Sequence, residues 1–377
     1  MRDFTFNGMD VPMATTETSH PIAMEQFIMT NSPGPFRVAV GIKALNEEVH
    51  IADAIRSSLA ALSGFNGEVV LADSGSTDRT VAIAQEFPIN IVQLANPAER
   101  CCGAGAQLAY QHTNAEYFYL LDGDMTLHPE FLKEGISFLE ENPEMAAVGG
   151  RVIERHTEAA EFQIRAANLD RESHWKAGSV DRLDCGGLYR VAAIKQVGYF
   201  ADRNLHAFEE FELAARLQSL GWTLARIDKP AVDHFGHTQK SYTLLWRRVR
   251  SGYMGGAGEV LRSAIGRKHF SIVMKRLNHV KFGIAVLAWW GLLVGSALFS
   301  SAALPILLIA PIAFLIWRRG SVKLGIFSFA SWNASAWGTL TGFIKSQRNP
   351  RIPLSSVRLS GLAVDEEKEN AKRDALG

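Results

Sequence analysis

Tyr117-Phe118-Tyr119-Leu120-Leu121-Asp122-Gly123-Asp124 places an unbroken apolar and aromatic run directly before two carboxylates. By composition the run reads as a buried strand, of the kind found in sheets covered on both faces. Two carboxylates two residues apart at a strand end, separated by a glycine that admits close backbone approach, suit a hard cation. Such an ion would bridge a diphosphate and offset the charge that develops as it leaves. Asp-Gly is equally a common turn pair, so the run alone leaves a plain turn open.

The flanking segments set this strand in a repeating pattern. Arg37 to Ile42, Glu68 to Ala72 and Asn90 to Leu94 are short β-rich runs. Helical spacing covers Asn46 to Leu62 and Thr77 to Phe87, with Ser76 as the expected N-cap of the second. Strands alternating with helices predict an α/β, Rossmann-like domain with a mainly parallel sheet. Ligands then bind at the carboxyl ends of the strands, where Asp73 and Asp122 both lie. The loop from Asp73 to Asp78 offers N–H groups of a helix start to an anion, and Asp73 can accept from a base or ribose. Ordinary capping is the bland alternative for that loop.

The chain has 377 residues, 47% hydrophobic and 21% charged, and is formally neutral. The balance hides an asymmetry: residues 240–281 hold ten Lys/Arg against one acid, Glu259. A basic segment beside an apolar one points to anionic lipid or phosphate rather than nucleic acid. Cys101, Cys102 and Cys185 give neither a disulfide framework nor a zinc pattern. Residues 1–35, which include Asn31-Ser32-Pro33-Gly34-Pro35, read as a flexible arm. They have no basic start followed by an apolar run, so the first domain is expected in a reducing cytosol.

After about residue 240 the character changes. Residues 241–281 read as basic interfacial helices, and 282–346 as a membrane region. Phe282 to Trp317 is 36 residues without one charge, too long for a single span of roughly 20 residues and tight for two. Ser300-Ser301 and Pro305 mark a turn, so a short transmembrane hairpin is expected. Arg276, Lys281, Arg318 and Arg319 bracket it on the cytosolic side of an inner or plasma membrane. Leu324 to Ile344 is uncharged but carries six Ser, Thr or Asn side chains, and reads as an interfacial helix or a third span. Residues 347–377 are expected to be a charged tail.

Five segments, in order from Val38 to His237, resemble the family-2 glycosyltransferases, whose fold is called GT-A. Val38-Ala-Val-Gly-Ile-Lys-Ala44-Leu-Asn46-Glu47-Glu48 is similar to the family's first strand and Asn-Glu-Glu turn. Asp73 to Thr80 is similar to its nucleotide loop, and Asp122-Gly123-Asp124 to its Asp-X-Asp. Cys185-Gly186-Gly187-Leu-Tyr-Arg190 resembles its Gly-Gly segment near the donor sugar, and Glu209-Glu210-Phe-Glu212 its acidic motif.

The resemblance implies an inverting transfer of one sugar from a nucleotide-diphosphate sugar, assisted by Mn²⁺ or Mg²⁺. Ala44, Asn46, Glu47, Asp73, Ser76, Asp122, Gly123, Gly186 and Gly187 would line the nucleotide-sugar site. Asp122 and Asp124 would hold the metal, joined by His234 or His237 after the last core strand. Glu210 stands where the family has its base, usually Asp; Glu209 competes for the role. Arg100 and Gly105 lie where a Gly-containing loop closes over the nucleotide, although the usual Ala-Arg-Asn ending is replaced by Gln107-Leu108.

A Gln-X-X-Arg-Trp motif of processive synthases is absent from the sequence, so one sugar per encounter is expected. The acceptor would be a lipid-linked or membrane-proximal saccharide, with membrane lipids as further partners, in surface polysaccharide or glycolipid synthesis. Transfer to a polyprenyl phosphate is the nearest alternative, and an inactive membrane scaffold a different one. A dehydrogenase is disfavoured, because no G-x-G-x-x-G follows the first strand.

Overall fold

Each of the four β-rich runs forms a strand, and every one is longer than its apolar core. The computed structural model describes residues 36–155, 173–236, 241–299 and 301–360. In chain order the first elements are β1 (Phe36–Ala44), α1 (Ile51–Ala61), β2 (Gly67–Asp73), α2 (Thr80–Ala84), β3 (Asn90–Leu94), α3 (Cys102–Gln111), β4 (Ala115–Asp122), β5 (Met125–Leu127) and α4 (Phe131–Glu141). Next come β6 (Met145–Glu154), β7 (Gly178–Val180), β8 (Gly187–Arg190), α5 (Val191–Val197), α6 (Glu209–Gln218) and β9 (Thr223–His234). The chain continues with α7 (Ser241–Arg250), α8 (Gly256–Ala264), α9 (Phe270–Arg276), α10 (Asn278–Phe299), α11 (Leu304–Arg319), α12 (Val322–Ile344) and β10 (Ser356–Ser360).

The strands form one mixed sheet in the order β10-β3-β2-β1-β4-β8-β6-β9-β5, with β7 on β9. The β3-β2-β1-β4 half is parallel. Its apolar alternation explains the layers. Val38, Val40 and Ile42 of β1 face the core shared with α1 and α4, while Ala39 faces the one shared with α3 and α6. Gly41 is required by packing, because a Cβ there would lie 2.5 Å from the Phe118 ring. The register sets Ala44 level with Asp73 and Lys43 level with Asp122. Three strand ends therefore open on one edge.

Several expectations need correction. α1 begins at Ile51, not Asn46, and α2 at Thr80, not Thr77. Ser76 is not an N-cap: α2 starts after Arg79, and the Thr80 N–H is taken by Asp78. The segment 347–377 is not simply a tail, since Ser356–Ser360 pairs antiparallel with β3.

Leu205, Phe211 and Ala215 share a core with Ala257, Val260, Val273, Leu277 and Val280, which ties α6 to α8, α9 and α10. Among the described residues only α10 is both long and apolar enough to cross a membrane; its 22 residues span about 33 Å. The expected turn is present, with Ser301–Ala303 between α10 and α11. α11, however, has 16 residues, or about 24 Å, short of a bilayer core of about 30 Å. α12 packs against both helices and against α8 through a seam of small residues. A Cβ on Gly258 would meet the Thr339 carbonyl at 1.9 Å, and one on Gly342 the Gly255 carbonyl at 2.1 Å.

Candidate active site

The Asn46-Glu47-Glu48 turn and the loop after β2 are laced together. Asn46, at φ 59°, receives on its Oδ1 the Thr77 N–H at 2.8 Å. Its own N–H donates to Ser76 Oγ, and Glu47 N–H donates to Thr80 Oγ1. Asp73 is fully buried. Its Oδ2 accepts from Gly75 N, Ser76 N and Gln93 Nε2 at 2.8–3.0 Å, whereas Oδ1 is buried without a hydrogen-bond partner. The loop N–H groups expected to face an anion are thus consumed by Asp73, Asn46 and Glu48. The open valence is Asp73 Oδ1, an acceptor suited to a base N–H.

Asp122, Gly123 and Asp124 sit where β4 turns into β5. Gly123 donates to the Lys43 carbonyl, and a Cβ on it would lie 2.9 Å from Glu47 Cγ. Glycine is what lets Glu47 lie across the pair. Asp124 Oδ2 is 3.4 Å from His234 Nε2, and His234 Nδ1 is 2.7 Å from Glu154 Oε2. Burial, then Asp124 and Asp122, push Glu47 up to about 8. Burial likewise raises Asp122, against the nearby Lys43. For His234, burial opposes the charge, but its bonds to Asp124 and Glu154 lift it to about 10. Carboxylates of Asp122, Asp124 and Glu47 with one imidazole nitrogen are donor types that suit a divalent cation. Their mutual repulsion leaves room for its charge, so the residues fit such an ion. His237 lies outside the described residues.

The acidic motif opens α6. Glu210 is half-buried and accepts from the N–H groups of Cys185 and Gly186, each at 3.2 Å. Cys185 and Gly186 both take positive φ, 66° and 88°, and a Cβ on Gly186 would lie 2.7 Å from the Leu120 carbonyl. The Gly-Gly segment is therefore pinned between β4 and Glu210. Burial, together with Glu209 and Asp122, raises Glu210 well above the carboxylate range, with Lys43 opposing. Glu209 is buried and its Oε1 is 2.7 Å from Lys43 Nζ. Glu212 is structural: it is fully buried and bonds Arg216 at 2.8 Å, and Arg216 holds the Tyr199 and Phe200 carbonyls.

Gly105 lets α3 approach Ser74 and Lys43, with its ideal Cβ 3.2 Å from Ser74 Oγ. Arg100 is exposed at the end of the 3-10 turn Pro97–Glu99, where its N–H donates to the Pro97 carbonyl. Its neighbour Glu99 is the tethered residue, paired with Arg203 and Arg348. Sequence reading missed Lys43, Glu154 and Glu99. A lysine closing an apolar strand was a usable signal for the first; the other two acquire their meaning only from distant partners.

Residues 39–198 match the family model described as Glycosyl transferase family 2. The match stops before Glu209, Glu210 and His234, whose placement rests on the geometry. The succinoglycan biosynthesis protein ExoA of Rhizobium meliloti is 27% identical over 329 residues, covering 84% of this chain and 88% of that protein. Glucomannan 4-beta-mannosyltransferase 2 of Arabidopsis thaliana is 30% identical over 119 residues, 29% of this chain and 22% of that protein. The solved mannosyltransferase PcManGT from Pyrobaculum calidifontis, in complex with GDP-Man and Mn²⁺, has a TM-score of 0.55 at 17% identity, covering 82% of this chain and 89% of that one. Residues 39–198 of the chain thus match the family-2 glycosyltransferases, and the chain has the GT-A fold.

Proposed function

We propose that the protein is an inverting, metal-dependent transferase that moves one sugar from a nucleotide-diphosphate donor to a hydroxyl of a lipid-linked or membrane-proximal acceptor. The observation that carries this reading is Glu210, seated under the Gly-Gly segment and sharing one cleft edge with the metal corner. Asp73 Oδ1 accepts from the nucleobase, and Asp122 orients the ribose. Asp122, Asp124 and His234, with Glu47 beside them, would hold a divalent ion, which when bound would neutralise the charge of the leaving diphosphate. Mn²⁺ is supported by the PcManGT complex.

Direct displacement at the anomeric carbon strips a proton from the acceptor hydroxyl as it attacks, so a carboxylate must accept that proton. Glu210 suits this role. Its hydrogen-bond partners are the backbone N–H groups of Cys185 and Gly186 rather than a cation. Glu209 is committed to Lys43. The apolar α10, beside basic α7 and α9, supports a site at a membrane surface on the cytosolic side. ExoA's name supports an acceptor in surface polysaccharide synthesis.

The test is a panel of UDP- and GDP-sugars with Mn²⁺ or Mg²⁺ and membrane lipid extract. Asp124→Ala should lose transfer, and Glu210→Gln should lose transfer while still binding donor. If Glu210→Gln transfers normally, the acceptor is a polyprenyl phosphate, which needs no strong base. No turnover of any donor by the wild type would leave an inactive scaffold.

A further inference from the structure

Lys43 enters the acidic edge from β1, one residue before Ala44. Its side chain is only 15% exposed, and its Nζ lies 2.7 Å from Glu209 Oε1 and 3.1 Å from Asp122 Oδ1. The two acids come from different elements, β4 and the start of α6. The lysine stem points to the α3 side of the sheet, where Gly105 makes room: a Cβ there would stand 3.4 Å from Lys43 Cβ. The main chain is locked too, since the Lys43 carbonyl accepts from Gly123, between the two aspartates. Both ends of the residue therefore act on the Asp-Gly-Asp turn.

We propose that Lys43 is a positioning residue for sugar transfer: its ammonium fixes Asp122 toward the nucleotide and holds Glu209 away from the acceptor hydroxyl. The proposal rests on the transfer reading. Asp122, Glu209 and Glu210 are carboxylates of one cleft edge, and like charges there repel. A compact point charge with several rotatable donors can bind two of them at once. The third, Glu210, is left with backbone N–H partners only. Lys43 thereby separates the acid that receives a proton from the acids that organise the donor. Without it, Asp122 and Glu209 lose their shared partner, and each is free to rotate toward water or toward Glu210.

The test uses the full chain in lipid nanodiscs. Calorimetry measures the affinity for UDP and for GDP, each with Mn²⁺, and transfer assays give kcat and KM. Lys43→Met should weaken binding of the preferred nucleotide about tenfold and lower kcat further, the scale of losing a charge-assisted bond. Lys43→Arg should restore most of both. In the double variant Lys43→Met/Glu209→Gln, the nucleotide affinity should fall less than the product of the single losses, because the two side chains act as a pair.

Wild-type affinity and turnover in Lys43→Met would overturn the proposal. So would losses that multiply, or a loss matched by lowered thermal stability that Lys43→Arg does not rescue. If Lys43→Met does not fold, Lys43→Arg and Glu209→Gln decide: wild-type affinity in Glu209→Gln with none in Lys43→Arg also overturns it. A wild-type protein that binds neither nucleotide instead removes the transfer reading beneath.

Discussion

His234 Nδ1 lies 2.7 Å from Glu154 Oε2, while its Nε2 stands 3.4 Å from Asp124 Oδ2. Glu154 ends β6 and His234 ends β9, and the two strands pair in parallel with these residues in register. Glu154 thus fixes which ring nitrogen faces the Asp-Gly-Asp turn. Carboxylate–imidazole pairs of this kind orient a metal-binding histidine, and their loss lowers metal affinity by roughly 10- to 100-fold. Glu154→Gln should weaken Mn²⁺ binding on that scale, measured by electron paramagnetic resonance of free Mn²⁺. His234→Ala should weaken it at least as much. Unchanged affinity in both variants removes His234 from the metal corner.

Glu47 makes the metal-free protein sensitive to pH. Its pKa rises from 4.5 to about 8, by burial and then by Asp124 and Asp122. A carboxyl raised in the folded state binds more protons folded than unfolded. Stability therefore falls as pH rises through the window from 4.5 to about 8. In a chelator, the thermal midpoint should drop across that window, and Glu47→Gln should flatten the slope. Added Mn²⁺ should flatten it too, because the ion takes the place of the proton. A slope in Glu47→Gln equal to wild type assigns the effect to another group.

Asp73 presents one usable oxygen. Oδ2 is held by Gly75, Ser76 and Gln93, and Oδ1 is buried without a partner. Asp73→Asn can keep an oxygen toward those three donors only by turning its NH₂ toward the base, where it cannot accept. Donor binding should weaken by about 1–3 kcal/mol, roughly a 5- to 150-fold rise in KM, with kcat less affected. The split matters: an equal fall in kcat with unchanged KM would place Asp73 in the chemistry rather than in base recognition.

Local placement was legible in the sequence, and distant pairing was not. Asp122-Gly123-Asp124 declared itself because strand, turn and both carboxylates are consecutive. Cys185-Gly186-Gly187 was found only through its resemblance to the family's Gly-Gly segment. Ser76 misled, since a cap and an acceptor for Asn46 N–H look alike until the Asn46 turn, 30 residues earlier, is in place. Lys43 and Glu209 are 166 residues apart, and Glu154 and His234 are 80 apart, so neither pair leaves a spacing to read. Strand β10 was hidden for another reason: Ser-Val-Arg-Leu-Ser is short, and an edge strand is half-solvated.

That edge strand also fixes the sidedness of the chain. Arg348 pairs with Glu99, its N–H donates to Asn204 Oδ1 at 2.8 Å, and its carbonyl accepts from Asn204 Nδ2. Leu354 exchanges two hydrogen bonds with Gln111, and Ser356 meets His112 at 2.8 Å. Residues 348–360 are thus held against the sheet that carries the candidate site. Leu277 before α10 is in a core shared with Phe211 of the same unit. Any membrane crossings between Leu277 and Lys345 are therefore expected to be even in number. The cost of stranding Lys345, Arg348 and Arg351 on the far face, which counted against α12 as a third span, does not arise. Fusing alkaline phosphatase, which needs an oxidising compartment, after residue 377 should give no activity, and fusing green fluorescent protein there should give fluorescence. An active phosphatase fusion, with β10 intact and transfer retained, would show an odd number of crossings and would require β10 to part from β3.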